Sequence, residues 1–288
     1  MRIGFIGIGA MGSPIVRHLL AGGHQVGLYS RRAEAAAPLV ALGAERHASP
    51  ALVASVSDLL FTMVTGTADV EQVLFGAGGV AEGAHAGLLV VDMSTIDPSA
   101  ARTFPSRLAP LGVGILDAPV SGGPDGAERG ALTIMCGGPE DLYAQARPVL
   151  ALFGANLFHL GPHGAGQATK ACHQLLLLIT AEGVAESLAL AARSGVDPEQ
   201  ARQAMLCGVA SSRVLERFGA RMVSRDFDGG IATRLYRKDL GIVFDAAAVA
   251  GVELPAGRVV REHITRLLDA GRGEDDLSAL ISVVEPSA

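Results

Sequence analysis

The sequence lacks the patterns that mark metal centres, disulfide frameworks and nucleic-acid surfaces. Its cysteines, Cys136, Cys172 and Cys207, are odd in number and widely spaced, with no CxxC pair, so they read as small core residues rather than bridges or zinc ligands. The 8 histidines form no HExxH pattern, and no metal is expected. Charged residues make up only 18% of the chain and the formal net charge is -6. The lysines and arginines are scattered rather than gathered into a basic stripe, so nucleic acid is not an expected partner. The longest strongly apolar run, near Leu175 to Ile179, falls short of a bilayer's width, and a strand-like run begins at Arg2, which leaves no room for a signal peptide. A cytoplasmic protein without a membrane partner is expected. What the chain does have is apolar substance: 49% of its 288 residues are hydrophobic, with no low-complexity or like-charge tract, enough to build two cores.

The first half alternates short apolar runs with helical stretches. Arg2 to Ile8, Gln25 to Tyr29, Asp58 to Val64, Leu88 to Met93 and Gly114 to Asp117 read as strands, and the alternation implies parallel strands joined by crossover helices. From Gly164 onward helical periodicity takes over, with a first helix expected over Gly166 to Arg193 and others over Pro198 to Leu206, Lys238 to Ala250 and Ala256 to Ala270. Gly251 and Gly271 read as C-terminal stops. The expected fold class is therefore an α/β Rossmann N-terminal domain, a doubly wound parallel sheet over residues 1–162, plus an all-α C-terminal domain over 163–288. A long interdomain helix joins the two. That helix is apolar on more than one face, which predicts a share in a subunit interface.

Gly7-Ile8-Gly9-Ala10-Met11-Gly12 is a GxGxxG that follows a strand and opens a helix. The first glycine permits the tight turn, the second lets backbone approach a pyrophosphate, and the third allows close helix packing. A dinucleotide is expected there, against Gly7, Gly9, Ala10, Met11 and Gly12, and also against Met63, Val64 and Thr65 at the end of the third strand-like run. The second run ends in Ser30-Arg31-Arg32, with no carboxylate before Glu34. An acidic residue there would bind the 2'-hydroxyl of NAD, while arginine accommodates a 2'-phosphate, so NADP (as NADPH) is preferred and NAD is possible. Two arginines merely solvated at a surface turn are the alternative.

Three further segments are unusual by composition, the last of them Lys238-Asp239-Leu240. Asp117-Ala118-Pro119-Val120-Ser121-Gly122-Gly123 ends a predicted strand with a hydroxyl and two glycines, which suits either a carboxylate cradle or a simple turn. Gly164-Ala165-Gly166-Gln167-Ala168-Thr169-Lys170 opens an apolar helix that carries Lys170, His173 and Gln174 at spacings of three and four. Lys170 is either snorkelling to solvent or held beside a ligand.

These segments, with Asp92-Met93-Ser94-Thr95 and Lys238-Asp239, resemble in order the markers of the 3-hydroxyisobutyrate dehydrogenase family of β-hydroxyacid dehydrogenases, and the resemblance spans the whole chain. It implies a dehydrogenase in which Lys170 is the catalytic acid/base, Ser121, Gly122 and Gly123 hold the substrate carboxylate, and Thr95 and Lys238 line the cofactor site. It also implies a homodimer or homotetramer, and a small hydroxy acid or semialdehyde as substrate. The family usually has asparagine three residues after the lysine, where this chain has His173, followed by Gln174. That pair resembles the L-threonate dehydrogenase-like branch, whose acids bear extra hydroxyls; a plain replacement of asparagine as a hydrogen-bonding group is the other reading. Of the rivals, an imine reductase-like NADPH enzyme would have no lysine at position 170, a phosphogluconate-type decarboxylase would be longer and need a cluster of basic residues, and a non-enzymatic NADPH-binding protein would be expected to lose the lysine, which this chain keeps together with Ser121.

Overall fold

The structure is a computed structural model that describes residues 1–285. It divides into a sheet-bearing unit, Met1–Lys170, and a helical unit that begins at Ala171. The strands are β1 (Arg2–Ile6), β2 (Gln25–Tyr29), β3 (Glu45–Arg46), β4 (Leu59–Thr62), β5 (Leu89–Asp92), β6 (Gly114–Asp117), β7 (Val120–Ser121), β8 (Leu132–Cys136) and β9 (Gly154–His159). Between them run α1 (Gly12–Ala21), α2 (Ala33–Val40), α3 (Pro50–Ser55), α4 (Thr67–Phe75), α5 (Val80–Gly83), α6 (Pro98–Leu108), α7 (Gly123–Glu128) and α8 (Glu140–Leu150).

The first six strands form one parallel sheet in the order β3-β2-β1-β4-β5-β6, the doubly wound arrangement that the alternating pattern predicts. Strands β1, β4 and β5 are buried on both faces. Ile3, Phe5, Phe61, Val91 and Leu116 pack on one side of the sheet, and Ile6, Leu60, Val90 and Ile115 on the other.

One expectation needs correction. The doubly wound sheet does not take in every strand of residues 1–162: β7, β8 and β9 form a separate three-stranded sheet with β7 antiparallel to β8. Ser121 therefore sits at the end of β7 in this second sheet, not at the end of a strand of the doubly wound one. Pro119 lies in the short link between β6 and β7, and proline cannot extend a strand's hydrogen-bond ladder.

In the helical unit α10 (Pro198–Leu206), α11 (Ala220–Ser224), α12 (Thr233–Ala250), α13 (Pro255–Asp269) and α14 (Ile281–Val284) follow α9 (Ala165–Arg193), whose first turns belong to the sheet-bearing unit. Leu178, Ala181, Ala185 and Leu188 of α9 recur at helical spacing and pack with Tyr236 and Leu240 of α12 and Val260, Ile264 and Leu267 of α13. Gly251 ends α12 in the left-handed conformation, with φ 67°. Helix α12 starts five residues before the expected Lys238, because Thr233 is tied by its amide and its hydroxyl to the carbonyl of Asp275.

Helix α9 is also more apolar than its leucine run alone suggests. By length and composition it is the one helix among the described residues that could cross a membrane. Within the helical unit its inward face is core, while Leu176 and Leu190 are 69% exposed.

Candidate active site

The glycine loop between β1 and α1 behaves as its three glycines predict. Gly7 has φ +105°, and a side chain there would meet the Met63 carbonyl oxygen at 2.1 Å. A Cβ on Gly12 would meet the Gly7 carbonyl oxygen at 2.2 Å. A Cβ on Gly9 would meet nothing within 4 Å, so a group can approach the backbone from that side. Helix α1 has no side-chain cap and no acidic residue in its first turn. Its first amides and positive dipole end are thus available to an anion, and the loop fits a pyrophosphate.

The parallel sheet assembles the other expected cofactor residues around this loop. Met63, Val64 and Thr65 leave the end of β4, beside β1, where the strand order reverses. The Met63 amide donates to Ile6 O at 2.8 Å. The Val64 amide donates to Ser94 Oγ at 3.0 Å, which ties the loop after β4 to the one after β5 that carries Thr95. After β2, Ser30 is buried, and Arg31 and Arg32 are exposed just before and at the cap of α2.

Beneath these loops lies a buried polar network that composition alone did not reveal. The two carboxylates at the ends of β5 and β6, Asp92 and Asp117, are paired in register. Thr62 Oγ1 donates to Asp92 Oδ1 at 2.7 Å, and the Ser94 amide donates to the same oxygen at 3.2 Å. The other carboxylate oxygen of Asp92 is buried with no hydrogen-bond partner. Burial pushes the Asp92 carboxyl up to about 6, against these donors. Asp117 is pushed upward by burial as well, opposed by the amides that face it: Gly164 N to Oδ1 at 2.7 Å and Gln167 N to Oδ2 at 2.9 Å.

Asp117 thus holds the N-terminus of α9 against the sheet. Gly166 must be glycine for this approach, since a Cβ there would lie 2.2 Å from the Met135 carbonyl oxygen and 2.8 Å from Asp117 Oδ2. Gln167 completes the joint by accepting from the Ile96 amide at 3.0 Å and donating to Ser94 O at 2.7 Å. The first turns of α9 are thus bonded to the end of β6 and to the loop after β5, within the unit that runs to Lys170. A signal was present in the sequence, because an aspartate ending an apolar strand and a glutamine opening an apolar helix both need buried partners.

Lys170 is only 7% exposed, which removes the snorkelling reading. Ser121 is half-buried, and Gly122 and Gly123 follow it with φ of +136° and +64°, conformations that favour glycine. In the helical unit His173 Nδ1 lies 3.0 Å from Gln174 Oε1. Gln174 Nε2 donates to Asp239 Oδ2, and Asp239 Oδ1 lies 3.0 Å from Lys238 Nζ. His173, Gln174 and Lys238 are therefore joined through Asp239, a link invisible in a sequence that separates them by more than 60 residues. Among the described residues no cluster of side chains could hold a metal ion.

Residues 2–161 match the family described as the NAD binding domain of 6-phosphogluconate dehydrogenase, and residues 164–284 match that described as NAD-binding of NADP-dependent 3-hydroxyisobutyrate dehydrogenase. The chain is 38% identical to a 2-hydroxy-3-oxopropionate reductase of Escherichia coli, over 99% of its own length and 97% of the relative's. It is 35% identical to an L-threonate dehydrogenase of Cupriavidus necator, over 98% and 95% of the two chains. A solved 3-hydroxyisobutyrate dehydrogenase of Mycobacterium tuberculosis with L-serine superposes with a TM-score of 0.91 at 29% identity, covering 99% of each chain. An imine reductase of Myxococcus stipitatus is more distant, with a TM-score of 0.67 at 19% identity, and shares the fold alone.

Proposed function

The chain belongs to the 3-hydroxyisobutyrate dehydrogenase family of β-hydroxyacid dehydrogenases, and from that premise we propose that it interconverts a small 3-hydroxy acid and its semialdehyde or 3-oxo acid, with NADP as preferred cofactor and Lys170 as the acid/base. The observation that carries this reading is the burial of Lys170, in the unit that holds the glycine loop and Ser121-Gly122-Gly123. A charged amine is costly to bury on an apolar helix unless it has work to do there.

The nicotinamide, when bound, supplies or accepts the hydride at the substrate's C3. The protein's share is the proton and the positioning. Ser121 and the backbone of Gly122 and Gly123 orient the carboxylate. In oxidation the neutral Lys170 amine takes the proton of the 3-hydroxyl; in reduction the ammonium returns it to the forming alkoxide. Burial favours the neutral amine and so brings a lysine toward the working range. Arg31 and Arg32 would receive the 2'-phosphate, Thr95 and Lys238 would line the cofactor, and His173 and Gln174 would bind the substrate.

2-Hydroxy-3-oxopropionate and L-threonate, named for two relatives, both carry a hydroxyl on C2, where 3-hydroxyisobutyrate carries a methyl. His173 in place of the usual asparagine supports a hydroxyl-bearing acid for this chain. The decisive test is Lys170→Ala, expected to lower kcat by roughly 10²- to 10⁴-fold while NADPH binding persists. Lys170→Met, which keeps the stem, serves if the alanine variant fails to fold. The pH profile of kcat/KM in oxidation should rise through one ionisation that the variant lacks. Turnover within about threefold of wild type would return the function to the non-enzymatic or imine-reducing alternatives.

A further inference from the structure

We propose that His18 is a positioning residue: it fastens the cofactor helix α1 to α7, so that a dinucleotide seated on the glycine loop steadies the Ser121-Gly122-Gly123 turn for the substrate's carboxylate. The inference rests on the reading above that the loop takes the dinucleotide and the turn takes the carboxylate. It adds what joins the two, and every residue concerned lies in the sheet-bearing unit.

His18 lies outside the motifs of the sequence, in the last turn of α1 and away from the glycines. Its Nε2 is 3.0 Å from the carbonyl oxygens of both Ala127 and Glu128, at the far end of α7. A carbonyl oxygen can only accept, so Nε2 carries the hydrogen and donates to both. The last carbonyls of a helix have no partner within it, and here a histidine of another helix supplies one. Beside it Arg17 pairs with Glu128, but both side chains are exposed, and an exposed ion pair contributes little. The His18 bonds are therefore the specific part of the joint. Ala127 is fully buried in the same core as Ile15, Val16 and Leu19 of α1. A Cβ on Gly130, just past α7, would stand 3.3 Å from His18 Cε1, so the chain leaves room for the ring and little more.

The joint bears on the Ser121 turn because two successive glycines do little to hold their own shape. That shape must be set from the flanks. On one side is β7, a strand of two residues. On the other is α7, whose six residues span only about 9 Å at roughly 1.5 Å each. The Gly126 amide donates to Gly122 O at 3.1 Å, so a shift at Ala127 and Glu128 reaches Gly122 within one turn. Gly12 and His18 lie on one helix of ten residues, and a group held at its start steadies its end. Misplacing a reactant by about 1 Å can cost about 10²-fold in rate, which makes the seat of the carboxylate worth fixing from the cofactor's own helix.

The test uses the full-length protein and two readouts. The first is hydrogen–deuterium exchange in residues 9–21 and 122–131, with and without NADPH. The second is steady-state oxidation of 2,3-dihydroxypropanoate at saturating NADP. In wild type NADPH should slow exchange in both segments. His18→Met fills the space of the ring without a donor. It should bind NADPH within about twofold of wild type and still protect 9–21, yet leave 122–131 exchanging as in the free protein. KM for the acid should rise, and kcat/KM fall, by roughly 10- to 100-fold. His18→Gln, whose amide nitrogen can take the place of Nε2, should restore both readouts to within about threefold. A residue that merely supported the fold would lower stability without separating the two segments. If His18→Met does not fold, His18→Asn, whose amide is too short to reach both carbonyls, replaces it.

Equal protection of both segments in wild type and His18→Met would overturn the joint, as would a segment 122–131 that NADPH leaves unchanged in wild type. His18→Gln behaving like His18→Met would overturn the role of the two hydrogen bonds. Separated segments with an unchanged KM would overturn the bearing on the carboxylate. Absence of turnover by wild type would instead overturn the functional reading, with exchange still deciding whether His18 couples the helices.

Discussion

Helices α1 and α9 both open on glycines, and the protein uses their N-termini in opposite ways. At α1 the amides have no side-chain cap, and a Cβ on Gly9 would meet no protein atom within 4 Å. At α9 the corresponding positive end is filled from within, by the Asp117 carboxylate that accepts from Gly164 and Gln167. A helix N-terminus attracts negative charge in either case. What separates a ligand site from a structural joint is whether the chain supplies its own anion. The glycines differ accordingly: at Gly166 a side chain is excluded by neighbouring protein, whereas at Gly9 it would be excluded only by something not part of the chain.

The largest effect expected of this contrast is at the joint. Gly166→Ala places a methyl 2.2 Å from a main-chain oxygen that cannot swing aside, and it should cost about 3 kcal/mol or more of stability in chemical denaturation. A loss under about 0.5 kcal/mol would mean that α9 does not need its close seat on Asp117.

Next comes the carboxylate that lacks a helix end. Asp92 titrates in the folded chain near 6 against an ordinary 3.8, so the folded state binds the extra proton, and ionised Asp92 weakens folding. The penalty is absent below about pH 4, grows as pH rises toward about 6 and is fully present above that. A shift of this size corresponds to something on the order of 3 kcal/mol. In Asp92→Asn the amide oxygen can still accept from Thr62 and Ser94, so the variant should gain stability relative to wild type across that interval. Urea unfolding at a series of pH values measures it, and a pH-independent difference would assign the dependence elsewhere.

Smaller effects belong to the open helix end. Arg31→Ala should weaken NADPH by about 1.5 to 3 kcal/mol while leaving NADH nearly unchanged, because only the phosphorylated cofactor loses a charge-assisted contact. Equal weakening in calorimetric titrations would remove Arg31 from phosphate recognition. Gly9→Ala should leave stability within about 0.5 kcal/mol yet weaken both cofactors about tenfold, since its methyl meets no protein atom but stands where the pyrophosphate would approach. Unchanged cofactor binding would place the dinucleotide away from this turn.

The sheet-bearing unit was the more legible of the two. Strands β2 and β6 lie on the residues expected of them, and β1, β4 and β5 differ from expectation only at their ends, because a strand buried on both faces announces itself as a continuous apolar run. Strands β7 to β9 escaped notice: β7 has two residues, and β9 alternates exposed and part-buried positions at the margin of a small sheet. In the helical unit Pro198–Leu206 was marked by its aspartate cap and N-terminal proline. The π-helical turn at Leu215–Gly219 and the short helix after it carry no comparable stop or start signal. Glu182 was likewise unremarked, although a carboxylate inside an apolar helical face needs a partner; it has one in His263 Nδ1 at 2.6 Å.

The amino-acid sequence by itself determined the doubly wound sheet, the glycine loop, the family and the identity of every residue proposed to meet substrate or cofactor. Those properties rest on local spacing, on periodicity and on what glycine alone can do in a turn. Tertiary structure decided the rest: that Lys170 is buried, that Asp117 is an anchor for a helix rather than part of a cradle, that Ser121 belongs to a second sheet, and that Asp239 reaches His173 through Gln174. Each of these is a relation between residues distant in the chain. Hydrogen bonds and desolvation act over a few ångströms of space, and no pattern within one segment encodes which distant segment will occupy that space.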